Sequence, residues 1–225
     1  MQKITVLLAD DHIVVRQGLR ALLMAEEDME IVGEADNGRQ AVQLVKKLLP
    51  DVIVMDIAMP VLNGLEATRQ ITRSVPSTKV LVLSSYSDDE YVQQLTEAGA
   101  AGYLVKQTAA NDLLKAIREA QRGNAYFSPS IAKRLRDHCR EALVSGQPVR
   151  RRSDYLTARE AEVLQLVAEG RANKQIAAEL CISIKTVEKH RQQVMNRLNI
   201  HDIAGLTRYA IAKGVIETKP ILDPV

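Results

Sequence analysis

The segment DVIVMDIAMP, residues 51–60, places four consecutive apolar residues directly before a carboxylate, Asp56. A short apolar run rich in Val and Ile is typical of a strand buried on both faces of a parallel sheet. The candidate strand here is DVIVM (51–55). Two similar runs precede it and two follow it in the first half of the chain: ITVLLA (4–9), EIVGEA (30–35), KVLVLS (79–84) and AGYLV (101–105). The first half therefore contains five candidate strands.

Longer amphipathic stretches separate these runs, among them RQGLRALLMAEE, GRQAVQLVKKLL and DDEYVQQLTEAG. Their apolar residues recur at steps of three and four, which is the spacing of a helix packed on one face. Regular alternation of five strands with helices predicts an α/β domain with a (βα)5, doubly wound sheet. In such sheets the reactive site lies outside the carboxyl ends of the strands.

The second half of the chain has a different pattern. After Gly123 we find no further strand, and only helical segments follow. We predict a connecting helix over 128–143, an exposed linker over 145–154 with Gly, Pro and clustered Arg, and then four helices. These helices span about 157–168, 172–180, 183–198 and 202–213. The predicted organisation is a first domain over 1–122, a connection over 123–154 and an all-α domain over 155–217.

Local residues support these helix ends. Thr157 and Glu160 have the spacing of a capping box, and Ser183 and Asp202 are suited to be N-caps. Gly170 and Gly214 stand where helices are expected to stop.

The formal net charge of +2 conceals an asymmetry between the halves. Residues 1–124 hold 13 basic and 17 acidic residues, a net charge of −4, and residues 125–225 hold 17 and 11, a net charge of +6. A basic second module is a candidate for contact with an anionic polymer. With 3% aromatic residues, one Phe and no Trp, the chain is poorly suited to stack on unpaired bases.

Other classes of protein are disfavoured by composition. The two cysteines, Cys139 and Cys181, have no CxxC spacing, so neither a zinc knuckle nor a disulfide framework is expected, and reduced thiols are the simplest interpretation. No apolar run approaches the roughly 18 residues of a membrane helix. We therefore expect a cytoplasmic protein without a membrane partner.

Acidic residues gather at the predicted strand ends. Asp10 and Asp11 close the first strand and Asp56 closes the third, so three carboxylates converge on one edge of the sheet. Without compensation they would repel one another, and a divalent cation such as Mg²⁺ resolves this with hard oxygen ligands. A carboxylate can also attack phosphorus to form an aspartyl-phosphate. Ser84 and Lys106 end the fourth and fifth strands, where a hydroxyl and an ammonium suit phosphate oxygens.

The motifs VLLADD, VIVMDIAMPVLNG, LVLSSY and GYLVK make the first 120 or so residues resemble the receiver domain of two-component response regulators. The resemblance implies a flavodoxin-like fold in which Asp56 accepts a phosphoryl group from a sensor histidine kinase. It implies a Mg²⁺ site formed by Asp10, Asp11, Asp56 and the carbonyl of Ala58. It makes Ser84, Lys106 and Tyr103 the switch residues. On this view Ser84 and Lys106 move toward the phosphate, and Tyr103 takes the space that Ser84 leaves.

The basic half contains helix-turn-helix spacing over residues 172–198. We predict an inward stripe formed by Ile184, Val187, Val194 and Leu198. Five polar residues then fall on the exposed face: Lys185, Glu188, Lys189, Gln192 and Asn196. Lys, Gln and Glu can read base edges in the major groove. The residues better placed to hold phosphates are Asn173, Lys174, Lys185, Thr186 and Arg191.

The motifs LTAREAEVL, GRANKQIAAEL and TVEKHRQQVMNRL make this half resemble a LuxR-type DNA-binding domain. Together the halves resemble a NarL-type response regulator. The resemblance implies a transcriptional regulator, not an enzyme, that binds a symmetric operator in double-stranded DNA as a phosphorylation-promoted homodimer. The final helix, around 203–212, is implied as the dimer contact, and RNA polymerase is a further candidate partner.

Two other functions are left open by the residues alone. A Mg²⁺-dependent aspartyl-phosphate hydrolase also uses a strand-end Asp, but such enzymes generally carry a second Asp two residues later, where this chain has Ala58. A ligand-sensing or partner-binding module with a vestigial pocket is the other alternative, since a fold does not fix a function.

Overall fold

Apolar strands and amphipathic helices alternate through the N-terminal part of the computed structural model. The structure describes residues 3–84, 89–106, 110–129, 131–133, 136 and 156–216, with only the main chain for residues 89–91. The chain divides into two units, Met1–Arg150 and Arg151–Val225, which are taken in turn below. The domain limits at residues 122 and 154 stay a prediction.

In the first unit the structure describes the bounds of six strands and five helices. The strands are β1 (Ile4–Ala9), β2 (Met29–Ala35), β3 (Val52–Met55), β4 (Lys79–Ser84), β5 (Gly102–Val105) and β6 (Tyr126–Phe127). The helices are α1 (Ile13–Met24), α2 (Gly38–Leu48), α3 (Gly64–Ser74), α4 (Asp89–Glu97) and α5 (Ala110–Gln121).

The strands form one parallel sheet in the order β2-β1-β3-β4-β5-β6, so the predicted flavodoxin-like, doubly wound fold is confirmed. Alternate residues of each strand point to opposite faces, and both faces are covered by helices. On one face Leu7, Ile53 and Val82 pack with residues of α2, α3 and α4. On the other face Val6 and Val54 pack with residues of α1 and α5. Burial on both sides explains why the strands are continuous apolar runs.

The five predicted strands lie within one residue of their expected bounds, but the prediction that no strand follows Gly123 is wrong. Tyr126 and Phe127 form β6, which pairs with β5. Two residues are too few to show the alternation that identifies a strand in a sequence. Gly102 of β5 pairs with Tyr126 of β6. A Cβ at residue 102 would lie 2.3 Å from the carbonyl oxygen of Tyr126, so this close approach requires glycine.

Four helices are described in the second unit: α6 (Ala158–Ala168), α7 (Asn173–Glu179), α8 (Ile184–Leu198) and α9 (Ile203–Ala212). They enclose a core that includes Val163, Ile176, Val187 and Leu206. The predicted all-α architecture of this half is confirmed. Among the residues that the structure describes, no helix has both the length and the apolar character required to cross a bilayer.

The predicted helix ends of this unit are confirmed. Thr157 and Glu160 form the capping box of α6, and Ser183 and Asp202 cap α8 and α9 through their side chains. Gly170 and Gly214 adopt positive φ angles of 80° and 56° just after two helices end. These are conformations that glycine adopts without strain.

One residue of the predicted inward stripe is misplaced. Val187 and Val194 are buried and Leu198 packs against the core, but Ile184 is 45% exposed. Side chains of a helix tilt toward its N-terminus, so the side chain of the first residue extends past the end of α8. Of the predicted connecting helix over 128–143, Ser128 is described and not helical, whereas residues 129, 131–133 and 136 are described and helical. The other residues of this helix, the linker over 145–154 and the tail from residue 217 lie outside the described residues.

The loop after β3 is packed tightly against the strand end. The side chain of Asn63 caps α3 by accepting a hydrogen bond from the Glu66 N–H at 2.9 Å. The Gly64 N–H donates to the carbonyl of Ile57 at 2.7 Å. A Cβ at Gly64 would lie 2.1 Å from the carbonyl oxygen of Asp56. The start of α3 can therefore approach Asp56 only because residue 64 has no side chain.

Replacing Gly64 by Ala is expected to destabilise the first unit by about 1–3 kcal/mol, because the main chain at Asp56 has to give way. The matched control is Gly18→Ala on α1, where an added Cβ meets nothing within 4 Å. That change is expected to stabilise the same unit by about 0.5–1 kcal/mol through helix propensity. Hydrogen exchange of β3 amides, followed by mass spectrometry, measures both effects. Equal effects of the two variants would contradict the packing argument.

Candidate functional site

The ends of β1 and β3 place two carboxylates side by side. Met55 pairs in register with Ala9, and the Asp56 N–H donates to the Ala9 carbonyl at 2.8 Å. Asp10 and Asp56 are the residues that follow these strands, and they are 2% and 3% exposed. Parallel pairing thus brings together two acidic groups that are 46 residues apart in the sequence.

Lys106 joins these two carboxylates. It directly follows β5, and its Nζ lies 2.9 Å from Asp10 Oδ2 and 2.9 Å from Asp56 Oδ2. The Lys106 side chain is 16% exposed, so water screens these contacts only in part. The structure therefore brings together three of the predicted pocket residues, and one ammonium offsets the repulsion between two buried carboxylates.

The pocket shifts the proton affinities of this group. Burial is the largest influence on Asp56 and raises its pKa to about 6, with Lys106 opposing the rise and Asp10 adding to it. Burial alone would lower the pKa of Lys106, but the carboxylates of Asp56 and Asp10 raise it above the ordinary value. The lysine is thus held as a cation. The carboxylate of Asp56 is the group whose charge is costly in the pocket.

A further acidic side chain and a histidine complete a potential metal site. Asp10, Asp11, His12 and Asp56 each offer a ligand atom within 4.8 Å of one another. Three carboxylates provide the hard oxygen donors that Mg²⁺ prefers, so the donor set fits this ion. His12 Nδ1 lies 2.9 Å from Asp11 Oδ1, which makes the imidazole a partner of the acidic pair. Ala58, whose carbonyl is the remaining predicted ligand, is buried in the loop after β3.

The predicted switch residues occupy β4 and β5. Ser84 ends β4, is fully buried, and its carbonyl accepts a hydrogen bond from the Lys106 N–H at 2.7 Å. Tyr103 on β5 pairs in register with Val82 and is 1% exposed. The ring of Tyr103 lies within the core on this face of the sheet. The expectation that Tyr103 takes the space left by Ser84 stays a prediction. Ser84 and Lys106 are adjacent at the same sheet edge as Asp10 and Asp56.

Two residues near the pocket were not identified from the sequence. His12 directly follows the acidic pair, and this adjacency was an available signal. Arg16 lies one turn into α1, and its Nη1 donates to the carbonyl of Asp10 at 2.6 Å. No local pattern indicates that contact, because it depends on how α1 packs beside β1.

The second unit presents a polar helix face. Helices α7 and α8 are joined by a short turn in which Cys181 is exposed and adopts a φ of 52°. The prediction that five polar residues of α8 are exposed is confirmed for Lys185, Glu188, Lys189, Gln192 and Asn196. Lys174 on α7 is exposed as well. This face carries both lysines and amide side chains that can pair with base edges or phosphates.

Several of these side chains are oriented by neighbours. Arg191 Nη1 donates to Asn173 Oδ1, a contact between α8 and the first residue of α7. The Thr186 hydroxyl lies 2.8 Å from the Ser183 hydroxyl at the start of α8. Gln192 Nε2 donates to Asn196 Oδ1 at 2.9 Å. The structure thus brings two of the predicted phosphate contacts, Asn173 and Arg191, into direct contact.

A side chain of α6 holds the turn between α7 and α8. No pattern in the sequence indicated this contact. Arg159 Nη2 donates to the carbonyl of Leu180 at 2.6 Å, and its Nη1 donates to Glu162 Oε2 at 2.6 Å. Glu162 is 6% exposed. Hydrogen bonds to charged groups are roughly twice as strong as neutral ones, so this clamp favours one geometry of the turn.

The raised pKa of Asp56 predicts a pH-dependent effect of Asp56→Asn in metal-free buffer. In the folded protein the pKa of Asp56 is about 6, whereas in the unfolded chain its carboxyl group returns to its ordinary pKa of 3.8. Above pH 6 the buried charge therefore lowers the stability of the first unit. The stabilisation by Asn is expected to be about 1–2 kcal/mol larger at pH 7.5 than at pH 5. Differential scanning calorimetry at both pH values measures it, and a pH-independent difference would contradict the assignment.

Comparison with known families shows what the two units resemble. The family described as response regulator receiver domain matches residues 6–118, and the family described as bacterial regulatory proteins, luxR family, matches residues 154–210. The transcriptional regulatory protein LiaR of Bacillus subtilis (strain 168) is 41% identical over 207 residues, which cover 92% of this chain and 96% of LiaR.

Solved structures agree with these matches. RcsB from Salmonella enterica serovar Typhimurium, bound to promoter rprA with the phosphomimetic BeF3⁻, is 27% identical, with a TM-score of 0.59 over 92% of this chain and 98% of RcsB. A structure of two RcsB dimers bound to two parallel DNAs is 28% identical, with a TM-score of 0.57 and the same coverage. The chain belongs to the two-component response regulators that combine a receiver domain with a LuxR-type DNA-binding domain.

Proposed function

We propose that this protein is a phosphorylation-dependent transcriptional regulator that accepts a phosphoryl group on Asp56 from a sensor histidine kinase and binds a symmetric operator as a dimer. The observation that carries the proposal is the contact of Lys106 Nζ with both Asp10 and Asp56 at 2.9 Å. A buried carboxylate beside a fixed ammonium and a further acidic pair is a suitable acceptor for a phosphoryl group.

The transfer step uses the carboxylate of Asp56 as the nucleophile. One of its oxygens forms a bond to phosphorus while the bond between phosphorus and the donor imidazole nitrogen breaks. The electron pair of that bond stays on the imidazole, which leaves as a neutral group once protonated. Lys106 is positioned to offset negative charge on the transferred group, because it already contacts the attacking side chain.

A divalent cation fits the acidic residues of this pocket. We assign Asp10, Asp11 and Asp56, with the Ala58 carbonyl, as the residues that hold Mg²⁺. When bound, Mg²⁺ supplies Lewis-acid stabilisation of phosphoryl oxygens. The chain contributes three carboxylates against one lysine, so the pocket keeps an excess of negative charge that a divalent ion balances.

Phosphorylation replaces the single negative charge of the Asp56 carboxylate by a phosphoryl group that carries about −1.5 to −2 charges at the end of β3. Lys106 is drawn from Asp10 toward the new charge, and the Ser84 hydroxyl is placed to donate to a phosphoryl oxygen. Because the Lys106 N–H is bonded to the Ser84 carbonyl, both residues move with the ends of β4 and β5. Tyr103, packed in the core on β5, transmits this displacement to the neighbouring helices.

In the second unit we assign α8 as the helix that enters the major groove. Glu188, Lys189 and Gln192 are assigned to base edges, since their side chains are exposed on one face. The assigned phosphate contacts are Asn173, Lys174, Lys185, Thr186 and Arg191. The contact between Arg191 and Asn173 holds two of these assigned phosphate contacts side by side.

The proposed partners follow from the relatives. RcsB binds DNA as dimers, and we extend dimeric binding on a two-fold operator to this chain, with α9 as the dimer contact. Ile203 and Ile211 of α9 are exposed apolar residues that such a contact would cover. We further propose that the regulator acts in the cytoplasm and that RNA polymerase is a further partner.

Asp56→Asn is expected to reduce labelling by radiolabelled acetyl phosphate and Mg²⁺ to background, because the amide is not a nucleophile toward phosphorus. Asp36→Asn is the matched control, since it makes the same chemical change at an exposed carboxylate and should label like the wild type. Persistent label in Asp56→Asn would refute the assignment of the acceptor. Catalytic turnover of a phosphomonoester by the wild type would instead favour a hydrolase.

Base-reading and phosphate-holding lysines are expected to differ in their effect on DNA binding. Lys189→Ala should reduce discrimination between operator and mismatched DNA by about 1–3 kcal/mol. Lys174→Ala should weaken binding to all sequences and reduce the slope of log affinity against log salt by about 1. Fluorescence anisotropy with operator and scrambled duplexes over a salt series separates the two effects.

The control for both lysine variants is Lys46→Ala, which removes an exposed lysine from α2 of the first unit. It should leave both the specificity ratio and the salt slope unchanged. If Lys189→Ala and Lys174→Ala alter binding to operator and scrambled DNA alike, the division into base contacts and phosphate contacts on this face is wrong.

A further inference from the structure

Asp10 is held by its main chain as well as by its side chain. It stands one residue beyond the end of β1, where its N–H still donates to the Ala35 carbonyl of β2 at 3.1 Å. Its own carbonyl accepts a hydrogen bond from Arg16 Nη1 at 2.6 Å. A main-chain carbonyl at a buried position needs such a partner, and here it comes from α1.

The orientation of the Asp10 carboxylate depends on this main-chain position. Its Oδ1 accepts from the His12 N–H at 2.8 Å, and its Oδ2 contacts Lys106. Rotation of the peptide group after Asp10 would alter the position of the His12 N–H and so the direction of Oδ1. The contact from Arg16 to the Asp10 carbonyl therefore acts on the geometry of the carboxylate.

Arg16 is in turn oriented by Glu34 on β2. Arg16 Nε donates to Glu34 Oε2 at 3.1 Å while Nη1 reaches the Asp10 carbonyl. The guanidinium is planar, and its donors have fixed directions, so holding one of them restricts the other. The side chain of Arg16 is 16% exposed, which keeps most of these contacts out of water.

Arg16 and Arg20 share one carboxylate, Glu34, so this group carries a net charge of +1. Positive charge repels a cation bound by Asp10, so removing Arg16 would by charge alone strengthen cation binding. A loss of cation affinity in Arg16→Ala would therefore be a geometric effect. Residues that orient metal ligands without touching the metal commonly change metal affinity about 10–100-fold when they are removed.

We propose that Arg16, oriented by Glu34, is a positioning residue that fixes the main chain at Asp10 and thereby sets the divalent-cation affinity of the acidic pocket. This inference rests on the proposed function, in which Asp10 is a Mg²⁺ ligand.

Arg20 supplies a matched control on the same helix. Its Nη1 contacts the other oxygen of Glu34 at 2.7 Å, but among the described contacts it makes none with Asp10. Arg20→Ala thus removes an arginine that shares the same carboxylate and leaves the Arg16 contact with Asp10 in place. Any effect of charge or of Glu34 pairing alone should appear in both variants.

The experiment titrates full-length protein with Mg²⁺ alone and follows binding by isothermal titration calorimetry and by the rise in thermal midpoint. Arg16→Ala is expected to raise the half-saturating Mg²⁺ concentration about tenfold, and Arg20→Ala to change it less than about twofold. Glu34→Gln, which keeps Arg16 but weakens its orientation, should give a shift between these values and serves if Arg16→Ala does not fold.

A second readout separates positioning from a general structural role. In labelling with acetyl phosphate, Arg16→Ala should need about tenfold more Mg²⁺ but reach a maximal rate close to that of the wild type. Lower thermal stability with unchanged Mg²⁺ affinity would overturn the inference, and so would equal shifts in Arg16→Ala and Arg20→Ala. If Asp10→Asn left Mg²⁺ binding unchanged, the metal site of the proposed function would fail together with the inference.

Discussion

The contact of one ammonium with two buried carboxylates is the constraint on which the rest of the first unit depends. Lys106 lies between Asp10 and Asp56, and Asp11 adds a third acidic group at the same edge of the sheet. A single positive charge leaves this group with an excess of negative charge. The donor set of the pocket is therefore suited to a divalent cation.

Parallel topology explains how so few residues produce this site. The residues that follow the parallel strands of a doubly wound sheet lie at the same edge of the sheet. Reactive side chains about a hundred residues apart in the sequence, such as Asp10 and Lys106, can therefore meet in one pocket. The cost appears at Asp56, whose pKa is raised to about 6 mainly by burial. The fold tolerates one unfavourable charge because the hydrophobic faces of the sheet are covered on both sides.

Much of this arrangement could be predicted from the sequence, because it is encoded locally. Apolar runs identified five strands, and the acidic and basic residues after them identified the pocket. The caps of α6, α8 and α9 were likewise predictable from Thr157, Ser183 and Asp202. The contacts of Arg16 and Arg159 were not, since each joins elements whose packing no short pattern specifies. The exposure of Ile184 was missed because periodicity identifies a helical face but ignores where the helix begins.

The main-chain hydrogen bond between Lys106 and Ser84 has a consequence for engineering. Ser84 ends β4 and Lys106 directly follows β5, so this bond joins the main chains at the ends of two adjacent strands. A chimeric regulator assembled from two parents with a crossover between β4 and β5 would take Ser84 from one parent and Lys106 from the other. Grafts that transfer β4 and β5 together, with Lys106, keep both partners of this hydrogen bond from the same parent.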